Sequence, residues 1–187
     1  MEIITVKDLM VPLEEYATVS EEATLYEAIM ALEKAQEELD RTRYLYQHRA
    51  ILVYDTNNKI IGKISQLDAL KALEPKYKEM GDPGRISRGG FSPAFLKAML
   101  EQHAFWDKPL RDICRKGAEI KVKDFMYSPT QGEYIEESAS LEEAMHMLVM
   151  GHHQSLLVNK GEEIKGILRL TDVFKDIFRL MKTTSPL

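Results

Sequence analysis

The stretch GKISQLD at residues 62–68 decides the fold, because the chain repeats it as GILRLTD at residues 166–172. Both copies keep the glycine and the final aspartate. Earlier in each copy, VKDLM at residues 6–10 corresponds to VKDFM at residues 122–126, an offset of 116 that later falls to 105 and then 104. The first copy therefore carries 11 more residues in its middle and one more in its later turn. A repeated unit of about 65 residues organises most of the chain.

Each copy shows the same order of secondary-structure signals. A short β-prone piece, YATVS or GEYIE, precedes a helical pattern that opens with a capping box, Thr24 with Glu27 or Ser140 with Glu143. A hairpin and a second helix follow. The predicted fold is α/β (α+β type), with two tandem β-α-β-β-α repeats. The extra 11 residues lie around EKAQEELDRTR, which is rich in helix formers, so we expect a first helix longer by about three turns. The polar extension of this helix would either lie in solvent or contact a partner protein.

The predicted domain organisation has four parts: a first repeat at 1–73, a linker with a helical insert at 74–118, a second repeat at 119–181 and a tail at 182–187. Within the insert, Ser92 and Pro93 begin a helix that reaches about Trp106, and a short helix runs from Pro109 to Lys116. We expect the insert to pack on the repeats. The glycine-rich run with Arg85, Arg88, Gly89 and Gly90 is either a mobile linker or an anion-binding loop.

Composition excludes several classes of function. With 25 basic and 30 acidic residues the net charge is −5, which argues against nucleic acid as a partner. The single Cys114 excludes a disulfide framework and a multi-cysteine zinc site. It is expected to be a small buried hydrophobe. The first residues show no signal peptide and no stretch is apolar enough to span a membrane, so a cytoplasmic protein without a membrane partner is expected.

No arrangement of residues typical of catalysis is visible, so we do not expect an enzyme. Three histidines near the end of a helix, His146, His152 and His153, lack the spacing and the carboxylate partner of a metal site, so no metal and no cofactor are expected.

The closing motif suits a nucleoside. An aspartate one helical turn in can accept two hydrogen bonds from a ribose diol, and a hydroxyl at a helix start can bind an anion. The alternative is a helix cap, because Ser65 and Asp68 form an S-x-x-D capping pattern. In the second copy Arg169 replaces Ser65 and cannot accept a capping bond, yet Asp172 is kept. This favours a separate role for the acid, with Thr171 as a substitute cap or ligand group.

Together, the paired opening and closing motifs resemble the cystathionine-β-synthase (CBS) domain family in its tandem form, the Bateman module. The resemblance implies that the repeats pack with pseudo-twofold symmetry around two clefts, and that the chain forms a homodimer. Its residue counterparts are Ser65 for phosphate, Asp68 and Asp172 for ribose, Val19 and Ile135 for adenine or the core, and His48 and Arg49 for phosphate. Arg169 departs from the family hydroxyl, and either grips a phosphate or fills its cleft.

The predicted function is a regulatory, ligand-sensing module that binds AMP, ADP, ATP or S-adenosylmethionine and signals to an unidentified regulated protein by a change of conformation. Asp68 is expected to contribute more than Asp172. The competing interpretation is a dimerisation module that binds no nucleotide.

Overall fold

The computed structural model describes residues 4–79 and 90–184. Its strands are β1 (Val11–Pro12), β2 (Thr18–Ser20), β3 (Ala50–Tyr54), β4 (Ile60–Ser65), β5 (Tyr134–Glu136), β6 (Ser155–Lys160) and β7 (Glu163–Arg169). Its α-helices are α1 (Val6–Leu9), α2 (Leu25–Glu37), α3 (Gln66–Ala72), α4 (Lys76–Glu79), α5 (Pro93–Gln102), α6 (Leu110–Gly117), α7 (Leu141–Gly151) and α8 (Leu170–Thr184). The predicted anion-binding loop lies largely outside the described residues.

The strands form two mixed sheets, one for each repeat. The first has the order β2-β3-β4 and the second the order β1-β7-β6-β5. In each repeat a parallel pair, β2 with β3 or β5 with β6, is followed by an antiparallel hairpin. The predicted tandem β-α-β-β-α class is therefore confirmed.

Side-chain caps begin the helices where the sequence predicts them. Thr24 and Glu27 form the reciprocal box, with the Thr24 amide donating to Glu27 Oε2 at 2.7 Å and the Glu27 amide donating to Thr24 Oγ1 at 3.2 Å. Of the second predicted box, only one half is found among the described residues, with Ser140 Oγ accepting from the Glu143 amide at 3.2 Å. Each cap satisfies a backbone donor that the first helical turn would otherwise leave unpaired.

The opening segment of each repeat packs on the other repeat. Strand β1 pairs antiparallel with β7 of the second repeat, and the buried Val6 belongs to the core beneath α7. Conversely, Val122 lies in the core of the first repeat, and Tyr127 bridges to Lys63 of β4. This exchange ties the two repeats together through backbone hydrogen bonds as well as through apolar contacts.

The glycine of each closing motif makes this exchange possible. A Cβ atom on Gly166 would clash with the backbone oxygen of Val11, and one on Gly62 would lie 2.7 Å from the sulfur of Met126. Both glycines therefore allow another segment of the chain to pass close to the backbone. This packing explains the two glycines without any ligand.

The predicted elongation of the first helix is wrong. Helix α2 has 13 residues and α7 has 11, so only two of the 11 additional residues extend the helix and the other nine lie in a loop at 38–49. Leu39 and Tyr44 of this loop are buried with Leu157 and Ile167 of the second repeat. Burial of these side chains between the sheets outweighs helix propensity, which contributes only a few tenths of a kcal/mol per residue.

The insert packs on the first repeat, as expected. The amide of Tyr26 donates to the carbonyl oxygen of Ala118 at 3.1 Å, and Gly117 lies against the side chain of Leu73. Cys114 is exposed rather than buried, because the buried side of the short helix α6 carries Ile113 and Gly117. No helix among residues 4–79 and 90–184 has the length and apolar character needed to cross a membrane.

Candidate functional site

Arg169 and Asp172 form a buried ion pair at the start of α8. The guanidinium is bidentate, with Nε 2.5 Å from Oδ2 and Nη2 2.8 Å from Oδ1 of the carboxylate. The two side chains are only 6 and 10 % exposed. A fork of this geometry is the strongest form of a charge-assisted hydrogen bond, and it accounts for both oxygens of Asp172.

The same guanidinium joins the second repeat to the loop 38–49 of the first. Arg169 Nη1 donates to the carbonyl oxygen of Tyr46 at 3.0 Å and contacts Nδ1 of His48 at 3.1 Å. The ring of Tyr44 lies beneath it, 5.4 Å from centroid to guanidinium carbon. Arg169 is therefore the centre of a contact between the repeats, and its guanidinium is already engaged by Asp172, Tyr46 and His48.

His48 is fully buried in this contact. Its ring lies 4.4 Å from that of Tyr16, and among the described residues its Nε2 has no hydrogen-bond partner. Because Arg169 can only donate, Nδ1 accepts and the imidazole is neutral. Burial, followed by the charge of Arg169, lowers the pKa of His48 to about 4. The role predicted for this side chain was a phosphate contact, but it is turned inward.

Ser65 and Asp68 realise the capping alternative. The Ser65 amide and hydroxyl donate to Asp68 Oδ2 at 2.9 and 2.6 Å, and the Asp68 amide donates to Ser65 Oγ at 3.1 Å. One carboxylate oxygen of Asp68 remains for a ligand. The motif in the first repeat thus has a complete local explanation. Its counterpart Asp172 also pairs with the residue three positions before it, but as an ion pair with Arg169 rather than as a helix cap.

The remaining predicted site residues are dispersed. Val19 and Ile135 are 7 and 4 % exposed in separate core clusters, which fits the core alternative. Thr171 lies on the first turn of α8 beside Asp172 and is partly buried. Arg49 lies on the helix side of the first sheet with Ile51, away from His48.

A cavity of ≈ 620 Å³ opens beside Asp172. Its apolar lining comes largely from the opening segment, with Ile4, Leu9 and Met10. Its cations are Arg43, Lys175 and Arg179, and its further acids are Asp8 and Asp176. A second, apolar cavity is lined by Ser65 and Arg49 of the first repeat. Asp68 lines neither of these two cavities.

Sequence reasoning did not single out the cations of this cavity. Lys175 and Arg179 could have been found from the sequence, since they follow Asp172 by three and seven residues and therefore lie on the same face of the helix. Arg43 has none, because the loop that carries it is brought to the second repeat only by tertiary packing.

The comparisons with known proteins agree with this architecture. The model of the CBS domain family matches residues 6–75 and 122–179. A CBS domain-containing protein of unknown function from Bacillus anthracis is 20 % identical, with a TM-score of 0.61 and 94 % of both chains covered. A structure of CBSX2 in complex with AMP is 18 % identical, with a TM-score of 0.56, and the match covers 94 % of this chain and 97 % of that one. Another structure of CBSX2 is from Arabidopsis thaliana.

A putative acetoin utilization protein, AcuB, from Vibrio cholerae is 16 % identical, with a TM-score of 0.58 and 99 and 100 % covered. These likenesses concern the fold, because identity is low. A comparison with the curated proteins finds no match to the chain.

Proposed function

The chain belongs to the CBS domain family, and from that membership we propose that it binds an adenosine-containing nucleotide and signals its presence through a change of conformation. CBS-domain proteins are generally regulatory rather than catalytic modules. A ligand of such a module acts by its differential affinity for two conformations. The observation that carries the proposal is the mixed apolar and charged cavity beside Asp172.

The lining of this cavity matches the parts of a nucleotide. Leu9, Met10 and Leu180 offer apolar surface for the base. Lys175 offers a cation for phosphate, and Arg179, which pairs with Asp176 at 2.5 Å, offers a second. Each oxygen of Asp172 keeps a lone pair after pairing with Arg169, so it can still accept from a ribose hydroxyl. The volume of ≈ 620 Å³ lies within the usual range for small-molecule sites.

The equivalent region of the first repeat is partly covered by the insert. Asp124 corresponds to Asp8 of the cavity, and Lys78 of α4 donates to the Asp124 carbonyl oxygen at 2.7 Å. CBSX2 was solved with AMP, which supports the ligand class. We therefore place the ligand beside Asp172, and the sequence-based preference for Asp68 stays a prediction that the following test decides.

Melting temperatures with AMP, ADP, ATP and S-adenosylmethionine test the proposal. At about 100 times the dissociation constant, a ligand that binds only the native state should stabilise it by ~2.7 kcal/mol. Lys175→Gln should reduce this stabilisation, because it removes a cation from the cavity without touching the buried ion pair.

Lys71→Gln is the matched control, since Lys71 occupies the same motif position in the first repeat. A loss of stabilisation with Lys71→Gln or Asp68→Ala, but not with Lys175→Gln, would move the ligand to the first cleft. The absence of a shift with all four nucleotides would count against nucleotide binding altogether.

The second candidate function, self-association, rests on exposed apolar side chains on the helices of both repeats. Phe174 and Phe178 of α8 are 64 and 50 % exposed, and Tyr26 and Leu70 of the first repeat are 58 and 57 % exposed. Surface of this kind marks an interaction site on a folded protein. We propose that a second copy of the chain covers it.

Light scattering should give a mass of two 21.5 kDa chains. Phe174→Glu should yield the monomer, because a buried charge opposes association. Glu162→Lys, in the exposed turn between β6 and β7, is the control and should leave the dimer intact. A monomeric parent protein would contradict this second proposal.

A further inference from the structure

We propose that the cavity beside Asp172 selects an adenosine whose 5′ substituent ends in an α-amino acid group, as in S-adenosylmethionine, and that Asp176 is the residue that selects it. The selection rests on the proposed function, because it concerns the ligand of the same cavity. Its basis is a buried carboxylate oxygen of Asp176, on the cavity wall, for which the described part of the chain provides no hydrogen-bond donor.

Asp176 lies on α8 one helical turn after Asp172, and both side chains line the cavity. Asp176 is 6 % exposed, and its Oδ1 pairs with the guanidinium of Arg179 at 2.5 Å. Its Oδ2 is buried without a hydrogen-bond partner among residues 4–79 and 90–184. Burial of a carboxylate oxygen without a donor is unfavourable. A donor supplied from the cavity would remove this cost.

The fold does not require an acid at this position. The offset of 104 between the closing motifs places Ala72 of α3 at the position of Asp176, and Ala72 is equally buried. The pair with Arg179 does not explain the acid either, because the arginine side chain is 69 % exposed and ion pairs with exposed partners contribute little to stability. The acid is therefore a feature of the cavity in the second repeat.

The charges of the cavity wall favour a zwitterion over a polyanion. Three of the lining side chains are acidic and three are basic. Arg43 pairs with Glu15 at 2.9 Å, whereas Lys175, among the residues that the structure describes, donates only to the carbonyl oxygen of Arg43, at 3.3 Å. A ligand thus meets the cation of Lys175 next to the free oxygen of Asp176. An α-amino acid group carries a carboxylate and an ammonium on one carbon, which matches these two neighbours.

The spacing along α8 fits the same ligand. Asp172 and Asp176 are four residues apart, which is about 6 Å along the helix axis. In S-adenosylmethionine four bonds join the ribose C5′ atom to the α-carbon, and they span about 5 Å when extended. A ribose bound at Asp172 would therefore bring the ammonium within reach of Asp176.

A polyphosphate matches this end of the cavity less well. The β- and γ-phosphates of ATP would follow the same path and bring negative charge to the free oxygen of Asp176. Asp8, whose Oδ2 accepts from the amide and the hydroxyl of Thr5 at 2.8 Å each, adds a further negative charge to the wall. Like charges across a contact oppose binding, so ATP should bind more weakly than the amino acid derivative.

Titration calorimetry with two matched ligands tests the role of Asp176. S-adenosylhomocysteine carries the same amino acid group as S-adenosylmethionine, and its desamino analogue, adenosine with a carboxypropylthio group at the 5′ position, lacks only the ammonium. The parent protein should bind S-adenosylhomocysteine about tenfold more tightly than the analogue or ATP, because the ammonium donates a charge-assisted hydrogen bond to Oδ2. In Asp176→Asn the advantage over the analogue should fall to about twofold or less, because the charge of the acceptor is lost.

Asp112→Asn is the matched control variant. Asp112 also pairs with an arginine three residues later, Arg115, at 3.1 Å, but it lies on α6 and does not line the cavity. This variant should leave both affinities unchanged. Methylthioadenosine, which has the nucleoside but no amino acid group, should bind Asp176→Asn as it binds the parent protein, and this shows that the variant is folded with its cavity intact.

The proposal is overturned if the desamino analogue or ATP binds the parent protein as tightly as S-adenosylhomocysteine does, a comparison that needs no variant. It is also overturned if Asp176→Asn keeps the full difference between the two matched ligands. In both cases the measured binding of an adenosine compound leaves the proposed function standing. If none of these adenosine compounds binds, the proposed function fails together with the selection.

Discussion

Replacing Arg169 by methionine should lower the free energy of unfolding by about 3–5 kcal/mol, the largest effect expected from a single substitution in this protein. Methionine leaves the carboxylate of Asp172 buried without its bidentate partner. It also removes the donor to the Tyr46 carbonyl oxygen. Urea denaturation followed by far-UV circular dichroism measures the loss as a lower midpoint.

The matched control is Lys34→Met, which breaks a pair with Glu38 on the surface of α2. Those side chains are 73 and 67 % exposed, so the expected change is within about 0.5 kcal/mol. The double variant Arg169→Met, Asp172→Leu should recover part of the loss, because no charge is then left buried. A loss below about 1 kcal/mol in Arg169→Met would show that the ion pair is not buried in solution.

The stability of the protein should fall between about pH 6.5 and pH 4 because of His48, and this is the second large effect. Its folded-state pKa is lowered to about 4 by burial and by the charge of Arg169. Below pH 6.5 the unfolded chain therefore binds a proton that the folded chain does not. Between pH 7 and pH 5 this difference lowers the free energy of unfolding by about 2 kcal/mol. The loss stops growing once the pH falls below the folded-state pKa, because both states then bind the proton.

His48→Gln should flatten this part of the pH profile, because glutamine does not titrate. The measurement is urea denaturation at pH 7, 6 and 5, compared with the parent protein. His103→Gln removes an exposed histidine at the end of α5 and should leave the slope unchanged. Equal slopes for the parent and His48→Gln would contradict a buried, neutral His48.

The regular part of the fold could be predicted from sequence because its signals are local. Alternation of apolar residues, the turns between strands and the cap at Thr24 each depend on residues within a few positions of one another. The recurrence of the closing motif then showed that the same unit occurs twice. The residues between Glu37 and Ala50 escaped this reasoning, because their helical propensity was outweighed by contacts with a distant repeat.

The candidate site was predicted only in part, and for a comparable reason. The S-x-x-D pattern of Ser65 and Asp68 is local, and its capping bonds are present as that alternative predicted. Arg169 and Asp172 are also close in sequence. Their contact with His48 is not, since it spans 121 residues. No local pattern indicates that the guanidinium of Arg169 also contacts the carbonyl oxygen of Tyr46 and the ring of His48.

By itself, the sequence determined the repeated unit, its hairpins and caps, and the position of an acid after each closing glycine. Only the tertiary structure decided which acid borders a charged cavity and which closes a helix cap. Each acid binds the residue three positions before it, but the arginine bound to Asp172 also donates to a loop from the other repeat, which no local pattern shows. A carboxylate's environment depends on all the groups that burial brings to it, and burial is a property of the packed repeats.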